Sequence, residues 1–147
     1  MRGALAEARK SLDEGEVPVG CVIVHDGAIV GRGHNQMEAL GDATAHAEIV
    51  AIGAASASLG TWRLHECTLY VTLEPCTMCA GAILQARVGR VVLGAYDPKA
   101  GACGSILSVL DEPRLSHAPA VTSNVLAEEA GTLLTAFFEA KRRQAAH

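Results

Sequence analysis

Thr68-Leu69-Tyr70-Val71-Thr72-Leu73 runs without a break into Glu74-Pro75-Cys76-Thr77-Met78-Cys79, and the reading of that join decides the fold. Residues 68–73 are nearly all apolar or β-branched, as central strands buried on both faces are. Pro75 presets the backbone for a helix beginning around Cys76, with Met78, Ala82, Ile83 and Ala86 on its apolar side. Val88–Ala95 is strand-like again. Strand, helix and strand in this order predict a right-handed crossover between parallel strands.

Both cysteines then fall in the first helical turn, where free amides and the helix dipole favour thiolate, the metal-binding form. Upstream, Thr44-Ala45-His46-Ala47-Glu48 contributes His-x-Glu, 27 residues before Pro-Cys-x-x-Cys. One histidine and two cysteines make three ligands, the number a catalytic zinc takes when its fourth position stays open for water. A helix is expected over Ala45–Leu59, capped by Thr44 or Asp42. Inside a regular helix His46 and Glu48 would point about 200° apart. The pair is therefore expected at the helix entrance, where both can face one cavity. His46, Cys76 and Cys79 are the candidate zinc ligands, and Glu48 is the candidate proton carrier. Zinc in such a seat makes water a nucleophile near neutral pH. Glu48 would take the water proton, pass it to a ring nitrogen and help the ammonia leave.

Two blander readings compete. A structural zinc needs a fourth protein ligand, for which Cys21, Cys67, Cys103, His25, His34, His65 and His117 are available, but it has no use for a glutamate beside one ligand. Cys76 and Cys79 also have the spacing of a redox pair.

Working outward, residues 2–14 carry Leu5, Ala8 and Leu12 at helical spacing, with Gly15 as the C-cap. Glu16–Gly20 is a short connection stiffened by Pro18. Cys21–His25 and Ala28–Arg32 flank Asp26-Gly27, a two-residue hairpin signal. Gly33-His34-Asn35 ends the second strand, and residues 36–43 read as loop. Past the crossover, Tyr96–Gly101 is a loop holding an acid and a base, Ser105–Leu110 a short helix, and Ala120–Ser123 an edge strand. From Leu126 a terminal helix is expected, ending in Lys141-Arg142-Arg143. Those cations serve either as dipole partners or as phosphate contacts.

A chain of 147 residues is expected to form one domain. Half its residues are hydrophobic, which argues against disorder. No apolar run reaches the ~18 residues of a membrane span, and Met1-Arg-Gly-Ala-Leu-Ala-Glu7 does not read as a signal peptide. A cytoplasmic protein without a membrane role is expected. Five cysteines, an odd number with two in Cys-x-x-Cys, point to metal before disulfides. The net charge of −4 argues against a general nucleic-acid coating protein but leaves room for a local basic patch.

At these residues the chain resembles the bacterial tRNA adenosine deaminases of the cytidine deaminase-like superfamily. The likeness covers nearly the whole chain. It rests on Glu16–Gly20, Thr44–Glu48, Leu69–Cys76, Met78–Gly81, the Gly94-Ala-Tyr-Asp-Pro-Lys99 loop, Gly104-Ser105, and Phe137-Phe138 with the basic end. The resemblance implies a three-layer α/β/α sandwich around a five-stranded mixed sheet, one zinc ion per chain and a homodimer. It also implies conversion of the wobble adenosine of a tRNA anticodon stem-loop to inosine. Carried over, it assigns zinc to His46, Cys76 and Cys79 and proton transfer to Glu48. Asn35 would bond the purine's imidazole edge, while Val17, Pro18 and the main chain of Leu73 and Glu74 would line the base pocket. Asp97 and Lys99 would meet flanking nucleotides, with Arg142 and Arg143 near phosphates. The alternative is a deaminase of free nucleobases such as guanine or cytosine, which uses the same zinc motif.

Overall fold

A computed structural model of the chain describes residues 1–146. In chain order these form α1 (Arg2–Asp13), β1 (Gly20–His25), β2 (Ala28–His34), α2 (Met37–Leu40), α3 (Ala47–Leu59), β3 (Thr68–Leu73), α4 (Thr77–Gln85), β4 (Arg90–Ala95), β5 (Ala120–Thr122) and α5 (Ala127–Ala145). The strands make one mixed sheet in the order β2-β1-β3-β4-β5. β1 is antiparallel to β2 and β3, while β3, β4 and β5 run parallel. The crossover expected from residues 68–95 thus forms the middle of the sheet. Helices cover both faces, as the resemblance implies. α1 and α5 pack together over β1 and β4, and α3 lies on β2 and β1 beside α4.

Local chemistry accounts for most of these elements. Asp26 (φ 49) and Gly27 (φ 75) both take positive φ, the twist a two-residue hairpin needs. α1 ends where Gly15 turns left-handed (φ 75), so that Gly15 N–H reaches Leu12 O and Glu16 N–H reaches Ser11 O. Ile23, Leu69, Val71, Val91 and Leu93 are fully buried in the sheet, with Ile83 and Leu64 packed among them. Gly31 and Gly33 of β2 lie directly beneath α3, where any Cβ would overlap the main chain of Ala47, Ala51 or Ala55. Their small size fixes how deeply the start of α3 sits.

Four expectations need correction. The N-cap of α3 is His46, not Thr44 or Asp42; the Asp42 carboxylate instead accepts from the N–H and hydroxyl of Thr44, making a local turn ahead of the helix. Cys76 is the N-cap of α4, which leaves Pro75 one residue outside the helix. Residues 36–43 are not wholly loop. The buried carboxylate of Glu16 accepts from Glu38 and Ala39 N–H (2.9 and 2.8 Å) and so supplies the first turn of α2 with its missing partners. Ser105–Leu110 is not a helix. Only one 3-10 turn forms, at Val109–Asp111, because the N–H groups of Ile106, Leu107 and Val109 turn back to the carbonyls of Gly101 and Ala102 and Cys103 pairs with Ser108 as a β-bridge.

Candidate active site

The two helices α3 and α4 begin alike. His46 and Cys76 are extended N-cap residues (φ/ψ −76/153° and −75/178°), and neither makes a side-chain cap bond with its own helix. Both side chains are thereby free to meet. His46 Nδ1 stands 3.6 Å from Cys76 Sγ and 3.5 Å from Cys79 Sγ. Two ligands held at zinc–nitrogen and zinc–sulfur lengths and a tetrahedral angle lie about 3.6 Å apart. The three side chains therefore fit a zinc ion as they stand. Among the described residues no fourth side chain joins this group, and Cys21, Cys67, Cys103, His25, His34, His65 and His117 lie outside it.

Proton chemistry points the same way. The Cys76 thiol is pulled down to about 3, chiefly by hydrogen bonds from Cys79 and His46. Cys79 is pushed up by its bond to Cys76, by burial and by nearby negative charge. One thiolate forms readily and the second only against it. A cation between the sulfurs removes that conflict, and zinc binds both as thiolates.

Glu48 is the second residue of α3 and is 4 % exposed. Its carboxyl is pushed up to about 7, mostly by burial; its own main-chain N–H lowers it and the Cys76 sulfur raises it again. The helix entrance brings His46 and Glu48 to one cavity, as their spacing required.

That cavity is lined by Val17, Val19, Asn35, Met37, His46, Ala47, Glu48, Leu73, Glu74, Cys76, Asp97 and Ala100. It holds ≈ 620 Å³ of empty space, open mouth included, in the range of roughly 300–1,000 Å³ of small-molecule sites. A single base fits; a folded RNA loop does not. Asn35 is fixed by three bonds: Nδ2 to Val17 O (3.3 Å), main-chain N–H to Val19 O (3.1 Å), and Ser11 Oγ to its carbonyl (3.0 Å). Its Oδ1 is the one buried side-chain oxygen or nitrogen without a partner among the described residues.

Of the residues named from sequence, the structure gathers Val17, Asn35, His46, Glu48, Leu73, Glu74, Cys76 and Asp97 at the cavity, with Cys79 beside it. Pro18 is fully buried and does not line it. Lys99 is exposed just beyond the wall, and Arg142 and Arg143 are exposed in the last turn of α5, away from the lining. Asp97 Oδ1 is already engaged by the N–H groups of Lys99 and Ala100 (2.9 and 3.3 Å). Sequence reading missed the lining residues Val19, Met37, Ala47 and Ala100 and the side-chain roles of Glu16 and Glu74. A signal did exist for the two glutamates. Glu16 opens the apolar stretch Val17-Pro18-Val19 and Glu74 interrupts one between Leu73 and Pro75-Cys76, and a buried carboxylate must find donors.

Residues 1–95 match the family described as the cytidine and deoxycytidylate deaminase zinc-binding region. The tRNA-specific adenosine deaminase of Bacillus subtilis (strain 168) is 49% identical over 144 residues, which are 98% of this chain and 89% of that protein. The tRNA-specific adenosine deaminase of Haemophilus influenzae is 48% identical over 145 residues, 98% of this chain and 84% of that one. A solved structure from studies of A-to-I editing by tRNA:A34 deaminases superposes with a TM-score of 0.88 at 47% identity, covering 91% of this chain and 97% of the other. The guanine deaminase of Nitrosomonas europaea is more distant, with a TM-score of 0.77 at 25% identity over 91% of this chain and 80% of the other.

Proposed function

This chain belongs to the cytidine and deoxycytidylate deaminase family, with the tRNA-specific adenosine deaminases as relatives along nearly its full length, and from that premise we propose that it hydrolyses the wobble adenosine of a tRNA anticodon loop to inosine and ammonia. One observation carries the reading. Three ligand atoms that fit zinc stand at or beside a base-sized cavity with a buried glutamate, and among the described residues no fourth side chain joins the group.

His46, Cys76 and Cys79 would hold the ion, which supplies a Lewis acid that turns water into a nucleophile at C6 of the purine. Glu48 takes the proton of the attacking water and gives it to the ring nitrogen beside the carbon under attack. It then carries a proton to the departing amine, so one carboxyl serves both steps. A buried carboxyl at the cavity can take a proton and give it back, which suits that exchange.

Asn35 supports adenine over guanine. Adenine offers an acceptor at N7 and a donor at its exocyclic amine, a pair that asparagine can match through Nδ2–H and Oδ1. Guanine offers two acceptors on that edge and would leave Oδ1 unpaired. Val17 and Leu73 would flank the base. Asp97 and Lys99 would meet neighbouring nucleotides, with the Asp97 carboxylate accepting from a 2′-hydroxyl. A single-stranded loop is the cheaper source of an extruded base. Pro18 would act from behind the wall, and Arg142 and Arg143 would reach phosphates of the stem. A homodimer acting in the cytoplasm completes the reading; among the described residues no helix is long and apolar enough to cross a membrane.

The test is direct. Purified protein with about one zinc per chain is incubated with an anticodon stem-loop and, separately, with guanine, cytosine and adenine. Inosine in the stem-loop with no ammonia from free bases is expected. Ammonia from a free base alone would replace the RNA reading with the nucleobase one.

A further inference from the structure

Glu74 lies between strand and metal ligand, two residues before Cys76, and the chemistry above gives its side chain no task. Its burial is nonetheless almost complete, at 2 % exposed. A carboxylate so placed needs its acceptor positions filled, and one segment fills them all. Oε1 accepts the N–H of Asp97 (2.9 Å) and the hydroxyl of Ser105 (2.5 Å). Oε2 accepts the N–H groups of Cys103 (2.9 Å) and Ser105 (3.0 Å). Gly101 crosses so near the carboxylate that a Cβ there would overlap it. The main chain adds two ties: Glu74 N–H to Ala95 O and Ala102 N–H to Pro75 O, both 2.8 Å.

We infer that Glu74 is a positioning residue for deamination: its carboxylate gathers residues 97–105 against the β3–α4 junction and so sets the Asp97–Ala100 wall of the cavity relative to the metal ligands. This rests on the reading that the cavity receives the target base. Asp97 and Ala100 line that cavity. Asp97 Oδ1 closes the 97–100 turn on itself, making it one unit hung from Glu74 through a single charge-assisted bond. The same junction carries Cys76 at its far end. One side chain therefore keeps the substrate wall and the metal seat in register.

Glu74→Gln tests this, because it keeps shape but presents one oxygen. The serine hydroxyl can turn to accept from the new amide, whereas the N–H of Asp97 cannot. Amide exchange at Asp97 should accelerate by about tenfold or more, the loss of one charge-assisted bond, with Leu69 and Val71 unchanged. Zinc per chain should stay at the wild-type level. KM for the stem-loop should rise on the order of tenfold while kcat stays within about threefold, as expected when a binding geometry held through substrate and transition state is lost. Ser105→Ala, which removes one of the four bonds, should show the same pattern more weakly and stands in if Glu74→Gln does not fold.

Unchanged exchange at Asp97 would overturn the proposal. Loss of zinc with an intact loop would overturn it too, moving Glu74 to the metal seat, as would a fall in kcat at constant KM. If the wild-type protein leaves the stem-loop untouched, the functional reading fails, and amide exchange still decides whether Glu74 holds the loop.

Discussion

Glu48, at the entrance of α3, and Glu74, at the β3–α4 junction, are both buried carboxylates on one cavity, and they end in opposite states. Burial is the largest influence on each and raises both. For Glu48 it prevails, and the group stands at about 7. For Glu74 the hydroxyl of Ser105 and the N–H groups of Asp97, Ser105 and Cys103 together overturn it and hold the carboxyl below its ordinary range. Burial sets the cost of a charge, and the supply of donors decides whether that charge stays. A carboxylate short of donors can trade protons, while one saturated with them serves as an anchor.

Removing the metal separates the two most sharply. A chelator should abolish turnover, because proton transfer by Glu48 has no activated water to serve, while slow amide exchange at Cys103 and Ser105 persists. Loss of that protection on chelation would show that the anchor depends on the ion. Next in size, Glu48→Gln should lower kcat by about 10²–10⁴, the usual share of a general acid–base. Zinc content and melting temperature should hold, since an under-supplied buried carboxyl contributes little to stability; activity within a few fold of wild type would end its assignment. Asn35→Ala should lower kcat/KM on the stem-loop by an amount corresponding to about 1–3 kcal/mol, the value of a bidentate contact to adenine. An unchanged kcat/KM would show that Asn35 only shapes the wall. Smallest, Gly101→Ala should press a methyl group onto Glu74 and cost about 1–3 kcal/mol in urea unfolding, with zinc retained. A neutral result would mean that the loop yields easily.

The same contrast explains what the sequence could tell. The Asp26-Gly27 hairpin, the strand at Thr68–Leu73 and the pairing of His46-x-Glu48 with Pro75-Cys76-x-x-Cys79 are written in adjacent residues, because turn dihedrals and ligand spacing are local matters. α2 and the irregular course of residues 97–110 are not. Each is shaped by a carboxylate far along the chain: Glu16 acts on Glu38 across 22 positions, and Glu74 on Ser105 across 31. No window of a dozen residues contains both partners. Ser105–Leu110 reads as a short helix, yet the N–H of Val109, which a helix would aim at Ser105 O, goes to Ala102 O, and Ser108 pairs with Cys103.

The bare beginnings of α3 and α4 have a mechanical consequence. Each helix surrenders its N-cap side chain to the metal group, and the two residues stand 30 positions apart. An ion seated there is thus a removable rivet that closes a long loop of chain, which restrains the unfolded state as any cross-link does. Zinc starvation would then take away a fastener together with a reagent, and the relaxation of two helix starts would report it before any substrate is added.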